Sequence, residues 1–183
     1  MGNKESIRKK YIFKRRKKYF NVSKNFFTPL AKLLKKKYAN KKINISLYYP
    51  SFYELNVFKI LDLDFFRKSN FSLPVIEKNN SMSFIKWKKN DILNINKYGI
   101  VEPLNLKKVI PNVVLLPLLA FDKNKNRLGY GKGFYDKYLN NQVKTYKKIL
   151  AIGVAFSFQK HHNLPSNKKD YKLDYIITDK GIF

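Results

Sequence analysis

The sequence predicts an α/β protein with an open, mostly parallel sheet and helices on both faces. Two apolar runs, at 113–116 and 149–156, carry no polar interruption, which is typical of strands buried on both sides of a parallel sheet. Segments with helical spacing of apolar residues lie among the strand-like runs, and this alternation favours a layered architecture. Ligands of such sheets bind beyond the carboxyl ends of the strands.

Each element is predicted from its own pattern. In chain order these are helices at 4–19 and 26–38, a strand at 43–49, a helix at 51–65, strands at 71–76 and 113–116, a helix at 134–139, and strands at 149–156 and 175–178. Apolar residues recur at helical spacing in the helices, whereas the strands alternate or are continuously apolar. Pro50 ends the first strand, and Ser51 and Glu54 then have the spacing of a capping box. The polar segments 79–96 and 163–169 are expected to be connectors.

Length and composition favour one folded domain over residues 1–183. The hydrophobic fraction of 44% supports a core despite 28% charged residues. Cysteine is absent, which excludes disulfides and thiolate chemistry and fits a reducing compartment. The longest apolar run, 113–121, is too short to cross a bilayer and contains Pro117. We therefore expect a cytoplasmic protein with no membrane partner. We also expect a monomer.

The formal net charge of +27 would ordinarily suggest a nucleic-acid partner, because basic surfaces bind phosphate by releasing counterions. Lysine supplies nearly all of this charge, however, and arginine, which nucleic-acid clamps also use, occurs at only five positions. The abundant lysine, asparagine, isoleucine, tyrosine and phenylalanine all have A/T-rich codons, so compositional drift explains the profile more simply. We expect no specific nucleic-acid partner. A nucleic-acid-binding module is the competing hypothesis, which salt-dependent DNA retention without enzymatic turnover would favour.

The most informative segment is Arg-Leu-Gly-Tyr-Gly-Lys-Gly-Phe-Tyr-Asp at 127–136. Its alternating glycines free the backbone so that successive N–H groups can approach an anion, and a helix starting after them would add its positive end. Arg127 can grip phosphate in bidentate fashion, Lys132 adds a point charge, and Asp136 could hold a divalent cation. The pattern predicts a nucleotide triphosphate and metal site.

Two better-known phosphate motifs do not fit this segment. A Walker A loop needs Ser or Thr after its lysine, where this chain has Gly133, and a dinucleotide fingerprint has a different glycine spacing. The alternative is a glycine-rich hairpin without a ligand. The charged residues in and beside the loop favour phosphate binding over that alternative.

The same segment resembles the signature of the 5-formyltetrahydrofolate cyclo-ligases (methenyltetrahydrofolate synthetases), Arg-Leu-Gly-x-Gly-[Gly/Lys]-Gly-[Phe/Tyr]-Tyr-Asp, at every position. Further segments resemble the family in the same order along nearly the whole chain, at 4–8, 45–54, 98–103, 116–122, 164–165, 170 and 173–174. The resemblance implies a three-layer fold related to the ribose-phosphate isomerase and coenzyme A transferase folds. It also implies conversion of 5-formyltetrahydrofolate to 5,10-methenyltetrahydrofolate, with ATP and Mg²⁺, and with release of ADP and phosphate.

The resemblance further implies roles for individual residues. The implied ATP-binding residues are Lys4, Arg8, Arg127, Leu128, Gly129, Tyr130, Gly131, Lys132, Gly133, Phe134 and Tyr135. Those implied for the folate substrate are Tyr49, Glu54, Tyr130, Gly131, Lys132, Gly133 and Phe134, with Glu54 hydrogen-bonding the pterin. Asp136 and Asp170 are the implied Mg²⁺ ligands, while Asp174 is expected at a turn or strand start.

Plainer interpretations of several residues stay open. Without the resemblance, Lys4, Arg8 and Asp170 would be ordinary solvated side chains, and Tyr49 could pack in the core. Glu54 could act only as a capping partner.

Three further residues bear on the folate end of the hypothesis. Trp87 and Tyr98 are further candidates for the wall of the folate cleft, with core packing as the alternative. Asn56 stands where the family usually carries an acidic residue. A nucleotide-binding protein that has lost catalysis is therefore a second competing hypothesis.

Overall fold

The computed structural model describes residues 3–39, 41–96, 99–105, 107–145 and 149–183. Its helices are α1 (Lys4–Lys18), α2 (Thr28–Tyr38) and α3 (Phe134–Thr145). Its strands are β1 (Asn44–Ser46), β2 (Asn70–Ile76), β3 (Met82–Trp87), β4 (Leu93–Ile95), β5 (Val101–Pro103), β6 (Val113–Pro117), β7 (Ala120–Phe121), β8 (Arg127–Leu128), β9 (Leu150–Val154), β10 (Tyr175–Thr178) and β11 (Gly181–Ile182). Of the helices in these ranges, none has both the length and the apolar character that crossing a bilayer requires.

Seven strands form one central sheet in the spatial order β11-β10-β9-β6-β1-β2-β3. The inner strands run parallel to one another, whereas β11 and β3 pair antiparallel at the two edges. This confirms the predicted open, mostly parallel sheet. Two small antiparallel pairs, β4 with β5 and β7 with β8, lie outside the central sheet.

Side chains of β6 alternate between the two faces of the sheet, and each face packs against a helix. Leu115 joins a buried cluster that includes Leu34 of α2, whereas Leu116 joins a second cluster that includes Leu139 of α3. This is the period of two expected of a strand, and burying each such leucine contributes about 1.5–3 kcal/mol. Helices therefore cover both faces, as predicted.

The helix predicted over 51–65 is wrong. Phe52 and Tyr53 have φ angles of 47° and 62°, and the Glu54 N–H donates to the Ser51 carbonyl at 2.8 Å, so the segment is a tight turn. A right-handed helix cannot run through two left-handed residues. Short 3₁₀ helices follow instead, at Val57–Asp62 and Asp64–Phe66.

The segment 79–96, predicted as a polar connector, contains β3 and β4. β3 pairs with β2 from Trp87 opposite Phe71 to Met82 opposite Ile76. Asparagine and lysine flank the strand on both sides, so its alternation is weak in the sequence. The prediction of a connector over 79–96 is therefore wrong. Residues 82–87 form a strand because they pair with β2, and the sequence does not reveal this pairing.

The connector before β10 lies close against β9. A Cβ at Gly153 would be 2.6 Å from Cδ1 of Leu173 and 2.8 Å from Cδ2 of Leu118, so only glycine fits there without displacement. The Asp174 N–H donates to the Ala151 carbonyl, and the Ala151 N–H donates to Asp174 Oδ2, both at 2.9 Å. The expected strand-start role of Asp174 is thus confirmed, and the segment just before it has a fixed position.

Candidate active site

A cavity of about 580 Å³ lies beyond the carboxyl ends of the inner strands. Tyr49 follows β1, Ile76 ends β2 and Pro117 ends β6, and all three line the cavity, as ligand sites of parallel sheets require. The wall includes all of the ATP, folate and metal residues that the family resemblance implies: Lys4, Arg8, Tyr49, Glu54, Asp170 and all of 127–136. Their proximity is an observation, and their individual roles stay predictions.

The glycine-rich loop joins β8 to α3 and contacts α1. Gly131 and Gly133 have φ angles of 101° and 68°, which favour glycine. A Cβ at Gly131 would lie 3.2 Å from the guanidinium carbon of Arg8. The Nε–H of Arg8 donates to the Gly129 carbonyl at 2.9 Å. The loop conformation therefore leaves room for a cation that α1 supplies.

Two of the predicted cations pair directly with the two predicted metal carboxylates. Lys4 Nζ lies 2.6 Å from Asp170 Oδ2, and Arg127 Nη2 lies 2.9 Å from Asp136 Oδ1. The Arg127 side chain is only 5% exposed, whereas those of Lys4 and Asp170 are each 27% exposed. The family resemblance assigns the cations to phosphate and the carboxylates to metal, and nothing in the sequence predicts this pairing.

The two carboxylates come from distant parts of the chain but from touching segments. Asp136 Oδ1 accepts the Tyr171 N–H at 3.0 Å, and Tyr171 follows Asp170 directly. Asp170 Oδ2 accepts the Asn167 N–H at 2.8 Å, which fixes its orientation. No group of three or more histidine, cysteine or acidic residues with metal-binding geometry occurs in the described part of the chain. A cation here would thus draw on at most these two carboxylates, with its other ligands from phosphate or water, which is the usual mode of Mg²⁺.

Glu54 is buried in the wall of the cavity, beside Tyr130 of the glycine-rich loop. Its Oε1 accepts the Tyr130 hydroxyl at 2.8 Å, and its Oε2 accepts the Ser51 N–H at 3.0 Å and the Ser51 hydroxyl at 3.3 Å. Burial raises the pKa of Glu54, while the Ser51 N–H and the nearby Arg15 guanidinium act in the opposite direction. Glu54 therefore bonds to Ser51, as its spacing suggested, and also lines the cavity.

Aromatic side chains cover part of the same wall. Tyr49 is 40% exposed and Phe52 is 77% exposed, so neither packs in the core. Trp87 does pack there, stacked on Phe58 with ring centroids 5.0 Å apart, so its predicted place in the cleft is wrong. Tyr98 lies outside the described residues.

Several residues that line the cavity were not predicted from the sequence. They are Tyr48, Ser51, Phe52, Pro74, Ile76, Met82, Ile100, Val101, Pro117 and Asn167. The carboxyl-end rule for parallel sheets would have found Ile76 and Pro117. Ile100 and Val101 fall within the 98–103 segment that resembles the family, which was a usable signal.

Comparisons with known proteins agree with this architecture. The chain is 33% identical over 142 residues to a 5-formyltetrahydrofolate cyclo-ligase of Haemophilus influenzae, covering 74% of this chain and 75% of that protein. It superposes on the solution structure of a 5,10-methenyltetrahydrofolate synthetase from Aquifex aeolicus with a TM-score of 0.71 and 28% identity, covering 98% and 91% of the two chains. A 5,10-methenyltetrahydrofolate synthetase structure from Mycoplasma pneumoniae gives a TM-score of 0.69 and 26% identity, covering 96% and 98%. Residues 1–179 match the sequence model of the 5-formyltetrahydrofolate cyclo-ligase family, and the chain belongs to that family.

Proposed function

We propose that this protein converts 5-formyltetrahydrofolate to 5,10-methenyltetrahydrofolate with ATP, releasing ADP and phosphate. The observation that carries the proposal is the convergence of the glycine-rich loop, two cation–carboxylate pairs and the Glu54 turn on one cavity of about 580 Å³. The chain's membership of the cyclo-ligase family supports the reaction itself. The whole chain would act as one domain and as a cytoplasmic monomer, with no specific nucleic-acid partner.

The phosphate end of the cavity comprises Lys4, Arg8, the 127–133 loop, Asp136 and Asp170. Lys4 and Arg127 would leave their carboxylates and pair with the incoming triphosphate. Arg8, Lys132 and the N-terminus of α3 would also bind it. Asp136 and Asp170 would then hold Mg²⁺, which the all-oxygen donor set suits. When bound, Mg²⁺ would supply charge neutralisation at the phosphates. Each charged group would thereby keep an opposite charge beside it, so nucleotide binding would leave no buried charge unpaired.

The folate end comprises Tyr49, Ser51, Phe52, Glu54 and Tyr130. The Glu54 carboxylate would accept N–H groups of the pterin, and the exposed rings of Tyr49 and Phe52 would cover its flat faces. In the reaction, the formyl oxygen attacks the γ-phosphorus and the bond to ADP breaks. Nitrogen 10 then attacks the formyl carbon and loses its proton, and the carbon–oxygen bond breaks to release phosphate.

This reaction requires the protein to position the substrates and to neutralise charge, and it requires no protein nucleophile. Phosphoryl transfer is accelerated mainly by these two effects. Arg127 is almost fully buried, so its charge acts at low dielectric on the phosphates. Lys4 and Arg8 lie one helical turn apart on α1 and both line the cavity, where Arg8 bonds to the Gly129 carbonyl and Lys4 pairs with Asp170.

The test is a spectrophotometric assay of the purified protein with 5-formyltetrahydrofolate and MgATP. The near-ultraviolet absorbance of the methenyl product should rise, with one ADP formed per product, and should stop when ATP is omitted or Mg²⁺ is chelated. A folded protein that gives no product at moderate salt would contradict the proposal. If that protein still binds ATP, the catalytically inactive alternative takes its place.

A further inference from the structure

Arg15 is a buried cation that reaches the folate end from behind the cavity wall. It lies on α1 and is 1% exposed, whereas its neighbour Arg16 is exposed. Its Nη2 group donates to the Phe52 carbonyl at 2.7 Å and to the Tyr130 hydroxyl oxygen, and its Nη1 group approaches the Leu118 carbonyl at 3.4 Å. A single side chain thus joins α1 to the Glu54 turn, to the end of β6 and to the glycine-rich loop.

The chemistry of the guanidinium fixes the direction of the hydrogen bonds. Arginine only donates, so the Tyr130 oxygen must accept from Arg15. The Tyr130 hydroxyl hydrogen is then free to point at Glu54, whose Oε1 lies 2.8 Å from the Tyr130 oxygen. The order of donation runs from Arg15 to Tyr130 to Glu54. Each group in this chain is more strongly polarised than it would be alone.

We propose that Arg15 is a positioning residue for the folate substrate, which orients the Tyr130 hydroxyl toward Glu54 and supplies the positive charge that offsets burial of the Glu54 carboxylate. This inference rests on the proposed function, because it assumes that Glu54 receives the pterin. Arg15 itself touches neither substrate, since Phe52 and Tyr130 stand between it and the cavity.

The charges around Glu54 support this role. Burial raises the pKa of Glu54, and Arg15 is the one cation that acts against that rise among the groups that perturb it. The other titratable groups facing Glu54 are Tyr48, Tyr130 and Tyr135, whose pKa values burial raises, so all three stay neutral near neutral pH. Loss of Arg15 would therefore raise the pKa of Glu54 further. Because substrate binding needs the carboxylate, the acid limb of the activity profile would move to higher pH.

The kinetic test compares Arg15→Met, Arg15→Lys and Tyr130→Phe with the wild type between about pH 5 and 9. Arg15→Met should raise the KM for 5-formyltetrahydrofolate about tenfold near neutral pH, because a hydrogen bond to a charged group is lost. The KM for ATP should stay within about twofold. Part of the folate defect should disappear at high pH, where Glu54 ionises again. Arg15→Lys keeps the charge and should retain the wild-type acid limb, while Tyr130→Phe loses only the hydroxyl and should show a smaller defect.

The matched control is Arg16→Met, which removes the same side chain from the exposed face of α1 and should leave both KM values and the pH profile unchanged. If Arg15 had a purely structural role, Arg15→Met would lower kcat and the melting temperature, and each decrease would be the same at every pH. The inference would also be overturned if Arg15→Lys and Tyr130→Phe changed the folate KM and the acid limb as much as Arg15→Met does.

A second measurement separates this inference from the proposed function, because it needs no substrate. The Glu54 carboxyl carbon is titrated by NMR in the ligand-free wild type, Arg15→Met and Arg15→Lys, with Glu54→Gln to assign the signal. The Glu54 pKa should be higher in Arg15→Met than in the other two proteins. An unchanged pKa would overturn the inference even if the enzyme turns over. A raised pKa in a protein without turnover would instead count against the proposed function alone.

Discussion

The phosphate end and the folate end of the cavity hold their charges in different ways. At the phosphate end, Lys4 and Asp170 are each 27% exposed and form a direct ion pair. At the folate end, Glu54 is 6% exposed and Arg15 is 1% exposed, and Tyr130 stands between them. Partly solvated pairs cost little to separate, whereas a buried charge that loses its partner is costly. The Lys4–Asp170 pair at the phosphate end is therefore suited to exchanging partners. The buried Arg127 at the same end can leave Asp136 only for another negative charge, and the folate end is fixed before any ligand arrives.

The largest expected effect is that of Gly131→Val. The substitution places a β-branched residue at φ 101° and drives its Cβ against the Arg8 guanidinium, 3.2 Å away. Strain of about 1–3 kcal/mol would add to a displaced cation worth about 2–4 kcal/mol, so kcat/KM should fall about 1,000-fold.

The matched variant is Gly133→Val, which is also strained but whose Cβ meets nothing within 4 Å. Its loss should be clearly smaller in the same steady-state assay. Equal losses would mean that the loop acts through its backbone alone and that Arg8 does not depend on Gly131.

Arg127→Ala should have the next largest effect. It removes a buried cation from the phosphates and leaves Asp136 without its ion-pair partner. The transition state should lose about 2–4 kcal/mol of stabilisation, which lowers kcat/KM, and the affinity for ATP should weaken. Arg67→Ala, which breaks an exposed pair with Asp64, is the control and should change neither quantity. If Arg127→Ala turns over ATP normally, the exchange of partners proposed for the phosphate end is wrong.

Asp136→Asn and Asp170→Asn test the carboxylate side of the same exchange. Each should raise the Mg²⁺ concentration needed for half-maximal turnover while leaving thermal unfolding similar. Asp136 should give the larger change, about tenfold or more, because α3 and the Tyr171 N–H fix it beside the loop. Asp64→Asn on the surface is the control. An unchanged Mg²⁺ requirement in Asp170→Asn would leave Asp136 as the sole protein ligand and make Asp170 a partner of Lys4 only.

The two ends also differ in how far the sequence predicts them. The loop is contiguous, so its glycines and charges are visible together, and α3 does begin directly after Gly133. The folate end is assembled from α1, a turn and the loop, and no local pattern joins them. Phe52 and Tyr53 have positive φ angles, which aromatic residues rarely adopt. The sequence therefore gives no sign of the turn, and its apolar spacing predicts a helix there. Arg15 continues the four-residue spacing of Ile7 and Tyr11 on the buried face of α1, and Arg16 does not, but this spacing does not reveal which groups a buried arginine would contact.

The smallest expected effect is that of Asn56→Asp, at a position two residues after Glu54 where the chain departs from the family resemblance. Asn56 Oδ1 accepts the Phe58 N–H at 3.0 Å and thereby caps the 3₁₀ helix Val57–Asp62. Aspartate forms the same cap about equally well, so kcat and both KM values should stay within about twofold of the wild type. Asn56→Ala is the informative companion, because it removes the cap and should lower stability by about 1 kcal/mol in a denaturant titration, with turnover per folded molecule unchanged. A marked gain in kcat/KM for 5-formyltetrahydrofolate in Asn56→Asp would show instead that a second carboxylate belongs at the folate end. In that case the fixed network of Arg15, Tyr130 and Glu54 would be only part of the substrate-binding surface, and the native chain would be a weakened catalyst.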